Sequence, residues 1–415
     1  MFDPNYKFTC VDRFLKYVKY DTQSDDDSKS FPSTEKQKEL SRELVKELLE
    51  TGIKDAHLDE HGYVYATLPA NTDKDVPVIG FIAHVDTSPA VSGANVNPII
   101  HKNYQGGDIK LPKDGIVIRA NDNPDLANMK GYDIITADGT TLLGADNKCG
   151  VAEIMDAVNY LLLHPEIKHG TIKICFTPDE EVGRGTEKFD LVKFGAKYAY
   201  TVDGQSRGEV EDETFSADAM TLTFHGRNIH PGYAKGKMVN SIKLASKFME
   251  SLPKDKLSPE TTEGREGYVH CVAINGNEEE TVLKFIIRDF EDEKLKDYEK
   301  FLIDLGNKTV EGIKDAKFSY KVMEQYRNMR TVIKEHPQVT DNAIEAMKRM
   351  NIEPIMSPIR GGTDGSRLSL MGLPTPNIFA GEHSFHSKTE WVAVQDMEVA
   401  VQLIVEISKV WEEKS

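Results

Sequence analysis

The stretch Val78–Thr87, VIGFIAHVDT, is an apolar run that ends in a histidine and an aspartate two residues apart. Side chains alternate across a strand, so His84 and Asp86 leave the end of a buried strand on the same side, a geometry suited to a metal ion. Asp146, Glu180, Glu181, Asp203 and His386 follow, each at a strand end or beside a helix start. Two histidines with three of these carboxylates and no sulfur form a donor set that suits catalytic zinc, and also cobalt or manganese. Three carboxylates set against two divalent ions leave one positive charge, which a bridging hydroxide neutralises. Such a pair of ions polarises a carbonyl and lowers the pKa of bound water towards about 7.

Glu180 and Glu181 are adjacent, so on a regular strand they face opposite ways; past Pro178 the chain can turn and bring both to one site. One of the pair then binds metal, while the other, unligated, takes a proton from water and returns it to a leaving amine. The residues alone leave open which does which. Plainer readings compete at every position. An HxD at a strand end can be structural, and Asp146 can cap a helix that begins near Lys148. An acidic pair in a loop can be solvated, Asp203 before Gly204 is a turn signal, and His386 can be an exposed polar histidine.

These residues need a scaffold, and at 415 residues the chain exceeds the size at which one core usually stops growing, so two domains are expected. Its 39% hydrophobic and 29% charged residues, without low-complexity tracts, exclude a disordered chain. A net charge of -17 argues against nucleic acid as a partner, because phosphate binding needs a basic face. Cys10, Cys149, Cys175 and Cys271 form no CxxC pair, which argues against a thiolate zinc site and a disulfide framework. No membrane-length apolar run and no signal-peptide core occur, so a cytoplasmic protein that does not engage membranes is expected.

Val11, Phe14, Leu15 and Val18 have helical spacing. Thr34 with Gln37 reads as a capping box before a second helix that stops at Gly52. Strand-like runs at 57–68 and 76–85 precede a long loop from Ser88 to about Leu126. From Asp146 a helical pattern leads to the strand TIKICFTP and then to KYAYTVD. Strands alternating with helices predict an α/β fold with a largely parallel sheet covered on both faces, and active residues outside the carboxyl ends of its strands. After about Glu211 the order becomes β-α-β-β-α-β, the ferredoxin-like arrangement, which reads as an inserted α+β domain. The predicted division is 1–212 and 327–415 for the first domain, with 213–326 as the insert.

The segments AHVDT, LLGADNKCG, FTPDEEVGRG, TVDG, NIHPGYAKGKMVN, RGGTDGS and GEHSFHSKTEWV, in this order over almost the whole chain, resemble the peptidase T family. These are tripeptide aminopeptidases of the zinc-dependent aminoacylase and carboxypeptidase superfamily. The resemblance implies that His84, Asp146 and Asp203 hold one zinc and that Asp146, Glu181 and His386 hold the other, with Asp146 as the bridge. It implies Glu180 as the general base and Asp86 as the carboxylate that orients His84. It also implies that His230 of NIHPG stabilises the oxyanion from the inserted domain, which would act as a lid that closes on the site. Asn240, Arg288 and Arg360 are implied substrate contacts; an arginine fork suits a terminal carboxylate. A homodimer is a further expectation, since lid domains of this superfamily often dimerise. A related dipeptidase, N-acyl amino acid amidohydrolase or carboxypeptidase would share the metal centre, and so would a non-catalytic metal- or peptide-binding protein.

Overall fold

The run VIGFIAH forms the strand Ile79–His84 inside an eight-stranded sheet, with every residue buried. The structure is a computed structural model and describes residues 2–415. Ile79–His84 lies between Ile172–Thr177 and Tyr198–Gly204 and is parallel to both. Asn377–Phe379 continues the parallel order beyond Tyr198–Gly204. Antiparallel pairs appear further out, where Val64–Leu68 meets Ile172–Thr177 and Glu209–Glu211 meets Asn377–Phe379. The sheet is therefore mixed, with a parallel centre. Strands covered on both faces must be apolar on both, which is why this run does not alternate.

On one face Tyr200 stacks on Phe81, and its hydroxyl accepts a hydrogen bond from Trp411 Nε1 of the helix Val394–Glu413 at 2.9 Å. Alternation turns Ile82, Cys175 and Ala199 to the other face, into a core with Tyr63, Tyr65, Phe189 and Phe194. The helix Ala145–Leu163 packs on the sheet so closely that a Cβ at Gly150 would overlap the Val202 carbonyl. Only glycine permits that approach, and it draws the start of the helix towards the strand that carries Asp203.

Two expectations are corrected. The helix Gln37–Thr51 stops at Gly52 as expected, with φ 108, but the Thr34–Gln37 capping box does not form. Gln37 Nε2 donates instead to the buried Asp179 Oδ1 at 2.7 Å, and Thr34 Oγ1 donates to the Gln23 carbonyl at 2.8 Å. The supposed loop from Ser88 contains the strand Ile99–His101. That strand pairs with Ile134–Thr136, which pairs with Trp391–Ala393 and then Glu382–His383, building a second, antiparallel four-stranded sheet. Strands of two or three residues are too short to show a period.

Glu213–Thr331 and Pro358–Gly362 form a second compact unit. Its sheet runs Tyr268–Gly276, Glu280–Asp289, Ser216–His225, Lys317–Tyr326, antiparallel throughout. The helices Ser241–Glu250 and Asp292–Val310 cover it in the ferredoxin-like order. Leu222, Phe224, Phe248, Leu283, Phe285, Ile287 and Leu302 are buried in its core, each contributing roughly 1.5–3 kcal/mol. Residues 327–331 and 358–362, expected in the first unit, pack within the second. Phe215 N donates to the Ile359 carbonyl at 3.0 Å and Ile359 N to the Glu213 carbonyl at 2.8 Å. Among the described residues no helix is long and apolar enough to cross a membrane.

Candidate metal centre

Parallel strands all end on one edge of the sheet, and the chemistry gathers there. His84 is the last residue of its strand, Asp203 lies near the end of the adjacent one, and Glu180 and Glu181 follow the end of Ile172–Thr177. Asp146 stands at the start of the helix Ala145–Leu163 with non-helical torsions, φ -77 and ψ 105, and makes no helix cap. Its carboxylate is used on both sides instead. Oδ1 lies 2.8 Å from His84 Nε2, and Oδ2 lies 3.0 Å from His386 Nε2. His84 Nε2 also faces Asp203 Oδ1 at 3.5 Å, and His386 Nε2 faces Glu181 Oε2 at 2.7 Å. One carboxylate thus joins two clusters, each with an imidazole and a second carboxylate.

Asp86 and Asp179 make this convergence possible. Asp86 is fully buried, and its two carboxylate oxygens accept the backbone N–H groups of Glu180 and Glu181 at 3.0 and 3.2 Å. His84 Nδ1 lies 3.1 Å from the Asp86 carbonyl and 3.3 Å from its Oδ1, which sets the ring so that Nε2 points at Asp146. Asp179 adopts φ 60, the turn that lets its two neighbours approach one site. Ser33 N at 2.6 Å and Gln37 Nε2 at 2.7 Å donate to its buried carboxylate. Gly185 backs the same loop so closely on Asp364 that a Cβ would overlap the carboxylate, which knits FTPDEEVGRG to RGGTDGS.

Burial opposes charging of His84 and His386, but neighbouring carboxylates outweigh it: Asp203, Asp146 and Asp86 raise His84, and Asp146 with Glu181 pushes His386 up to about 11. Burial would raise Asp146, yet hydrogen bonds with the two histidines hold it well below the usual carboxylate range. Burial and the Asp146 charge push Glu181 up to about 8. Burial also raises Glu180, against the pull of His84 and with the help of Asp364, Asp203 and Glu181. Among the described residues the Glu180 carboxylate has no hydrogen bond or ion pair. Glu181 Oε1 and Asp203 Oδ1 are buried and accept no hydrogen bond.

Two further carboxylates of GEHSFHSKTEWV, absent from the expected set, serve the site. Glu390, 1% exposed, accepts the backbone N–H groups of Leu143 at 2.6 Å, Gly144 at 2.8 Å and Asp146 at 3.0 Å, and so fixes the Asp146 loop. One oxygen of Glu382 lies within 4.8 Å of a ligand atom on each of Asp146 and Asp203. The apolar strand Asn377–Phe379 just before it was the available signal, because carboxyl ends of strands collect functional groups.

His383, next in the chain, stacks on Trp391 at 4.0 Å. Burial holds its pKa down at about 4, against the pull of Asp125. The unfolded chain takes up that proton near pH 6.5 while the folded protein does not, so this contribution to stability is present above pH 6.5 and lost as pH falls towards 4. His383→Phe, which keeps the stack, should flatten that loss. Urea unfolding of the metal-free protein at about pH 7 and pH 5 measures it, and identical pH dependence in both proteins would count against it.

The candidate substrate contacts all belong to the second unit. His230 is exposed and accepts from Gly232 N through Nδ1 at 3.2 Å. Asn240 caps the helix Ser241–Glu250 by accepting from Lys243 N at 3.2 Å. Arg288 Nη1 donates to the Ile287 carbonyl at 3.0 Å, and its guanidinium lies over Tyr326. Arg360 donates to the carbonyls of Gly264 and Glu266, both at 2.8 Å, and to Thr262 Oγ1 at 3.0 Å. Its guanidinium is thereby committed to holding the 262–266 segment.

Residues 136–409 match peptidase family M20/M25/M40. Peptidase T of Geobacillus sp. (strain WCH70) is 53% identical over 406 residues, covering 98% of this chain and 99% of that protein. The crystal structure of a tripeptidase from Staphylococcus aureus superposes with a TM-score of 0.75 at 20% identity, covering 97% of this chain and 98% of that one. A Bacillus subtilis protein described as a dinuclear metal binding peptidase from the M20 family superposes with a TM-score of 0.65 at 13% identity, covering 98% of each chain. At more than half identity along nearly its full length with peptidase T, this chain belongs to peptidase family M20/M25/M40.

Proposed function

We propose that the protein removes the N-terminal residue from tripeptides at a centre of two divalent cations, with Glu180 moving the proton. The observation that carries this reading is the two-sided use of Asp146 beside an unpaired Glu180. His84, Asp146 Oδ1 and Asp203 would hold one ion; Asp146 Oδ2, Glu181 and His386 would hold the other. The residues fit such ions. Buried oxygens that accept no hydrogen bond, Glu181 Oε1 and Asp203 Oδ1, are expensive unless a cation meets them. An all-nitrogen-and-oxygen set suits zinc, cobalt or manganese.

When bound, the two ions supply Lewis acidity towards the scissile carbonyl and make a water molecule acidic near neutral pH. Glu180 accepts the proton from that water and delivers it to the amine nitrogen that leaves, the role of an unligated carboxylate beside the ligand set. Asp86 acts through others, orienting the His84 ring and fixing the backbone of Glu180 and Glu181. His230 is proposed as the oxyanion donor, and Asn240, Arg288 and Arg360 as substrate contacts, roles that rest on family resemblance. The free amine and the tripeptide length are supported by the peptidase T and tripeptidase relatives.

A panel of di-, tri- and tetrapeptides with free or acetylated amines tests the reading. Free-amine tripeptides should release their first residue, activity should vanish on chelation, and added zinc, cobalt or manganese should restore it. Activity confined to N-acylated substrates would overturn the aminopeptidase assignment.

A further inference from the structure

We infer that Glu382 is an additional protein donor on the Asp203 side of the centre and shifts that position's preference from zinc towards manganese or cobalt. The inference rests on the dinuclear reading above and concerns a residue outside the ligand set named there.

One carboxylate oxygen from each of Asp146, Asp203 and Glu382 lies within 4.8 Å of the other two, a spacing that lets one ion meet all three. Glu382 is 2% exposed, and among the described residues the donor against its carboxylate is the Cys149 thiol, Sγ 3.6 Å from Oε2. A thiol is a weak donor. A buried carboxylate with so little hydrogen bonding is costly unless a cation or a proton sits on it. Asp203 Oδ1, across the cluster, is also buried and accepts no hydrogen bond, with His84 Nε2 3.5 Å away.

The backbone delivers Glu382 to this spot by design of the sheet. Ala380 N and Gly381 N both donate to the Gly204 carbonyl, at 2.7 and 3.1 Å, which ties the approach to Glu382 to the residue after Asp203. Glu382 then pairs with Val392 in the second sheet, so its side chain is held from both ends.

Without Glu382 the two positions are equivalent in donor type, each with one imidazole, one oxygen of Asp146 and one further carboxylate. With it, the position that Asp203 serves gains a third carboxylate and the His386 position does not. Added oxygen donors and a higher coordination number favour manganese and cobalt, whereas zinc favours four ligands with nitrogen among them. The consequence is an asymmetric centre that prefers two different ions.

The test uses the full metal-free chain, wild type and Glu382→Gln, titrated separately with MnCl2 and ZnCl2 by calorimetry, with metal content determined after desalting. Wild type should take up two ions. Glu382→Gln should lose manganese affinity at one position by at least about tenfold, the scale on which even outer-shell partners act, while zinc affinity changes far less. The visible absorption of the cobalt-loaded variant should intensify as the coordination number at that position falls. Should Glu382→Gln fail to fold, Glu382→Asp keeps the charge, withdraws the donor by one methylene and should lose the same manganese preference. Unchanged manganese affinity and an unchanged cobalt spectrum would overturn the inference while leaving the dinuclear reading intact. A wild type that binds no divalent ion would overturn both.

Discussion

Glu180→Ala should lower tripeptide turnover by about 10²- to 10⁴-fold, the usual contribution of a positioned acid–base group, while the protein should keep its full metal content. Two features separate this residue from its neighbour. The Glu180 side chain has no hydrogen bond or ion pair among the described residues, whereas Glu181 Oε2 meets His386 Nε2 at 2.7 Å. The loop is held through backbone N–H groups on Asp86, which alanine retains, so truncation at Glu180 leaves Glu181 where it is. Steady-state kinetics together with elemental analysis of the same sample decides the matter. Normal turnover sinks the base assignment, and loss of an ion would make Glu180 a ligand.

Asp146→Ala should release both ions, a larger effect on metal content than any other single substitution. Its Oδ1 and Oδ2 serve the two clusters separately, at 2.8 and 3.0 Å from the two imidazoles. Alanine removes a donor from each position at once and also leaves His84 and His386 among fewer anions. The loop itself should survive, because the Asp146 N–H remains bonded to Glu390. Affinity for both ions should fall beyond the 10- to 100-fold scale of outer-shell changes, roughly speaking, and peptidase activity should fall with it. His84→Ala, by contrast, should cost one ion. Elemental analysis after desalting reads the difference, and an Asp146→Ala protein that retains two ions removes Asp146 as the bridge.

Much of the site was legible because its residues sit at the ends of apolar runs. His84 ends VIGFIAH, and Asp203 ends KYAYTVD. Glu382 follows PTPNIFAG in the same manner, yet it went unread because a polar stretch between strands looks like solvated loop until its partners are known. Glu390 gave less signal still. Its role is to accept three N–H groups from a loop some 240 residues earlier, and nothing in TEWV announces such an acceptor. The ferredoxin-like order of the second unit was readable from its ten-residue strands and long helices, while the two-residue strands of the second sheet were not.

Local chemistry and local period, then, reside in the chain: which side chains can ligate, that an HxD at a strand end shares a face, that alternating strands and helices build a parallel centre with its active edge at the carboxyl ends. These depend on neighbours a few residues apart, and the side-chain period carries them. The division of labour at the site does not. That Asp146 faces two clusters rather than capping its helix, that Asp86 holds the backbone of both glutamates, and that Glu382 joins Asp146 and Asp203 all follow from contacts between segments far apart in sequence. Burial then sets the energetics, because a carboxylate stripped of water must find a proton, a donor or a cation, and only the packed structure says which is within reach.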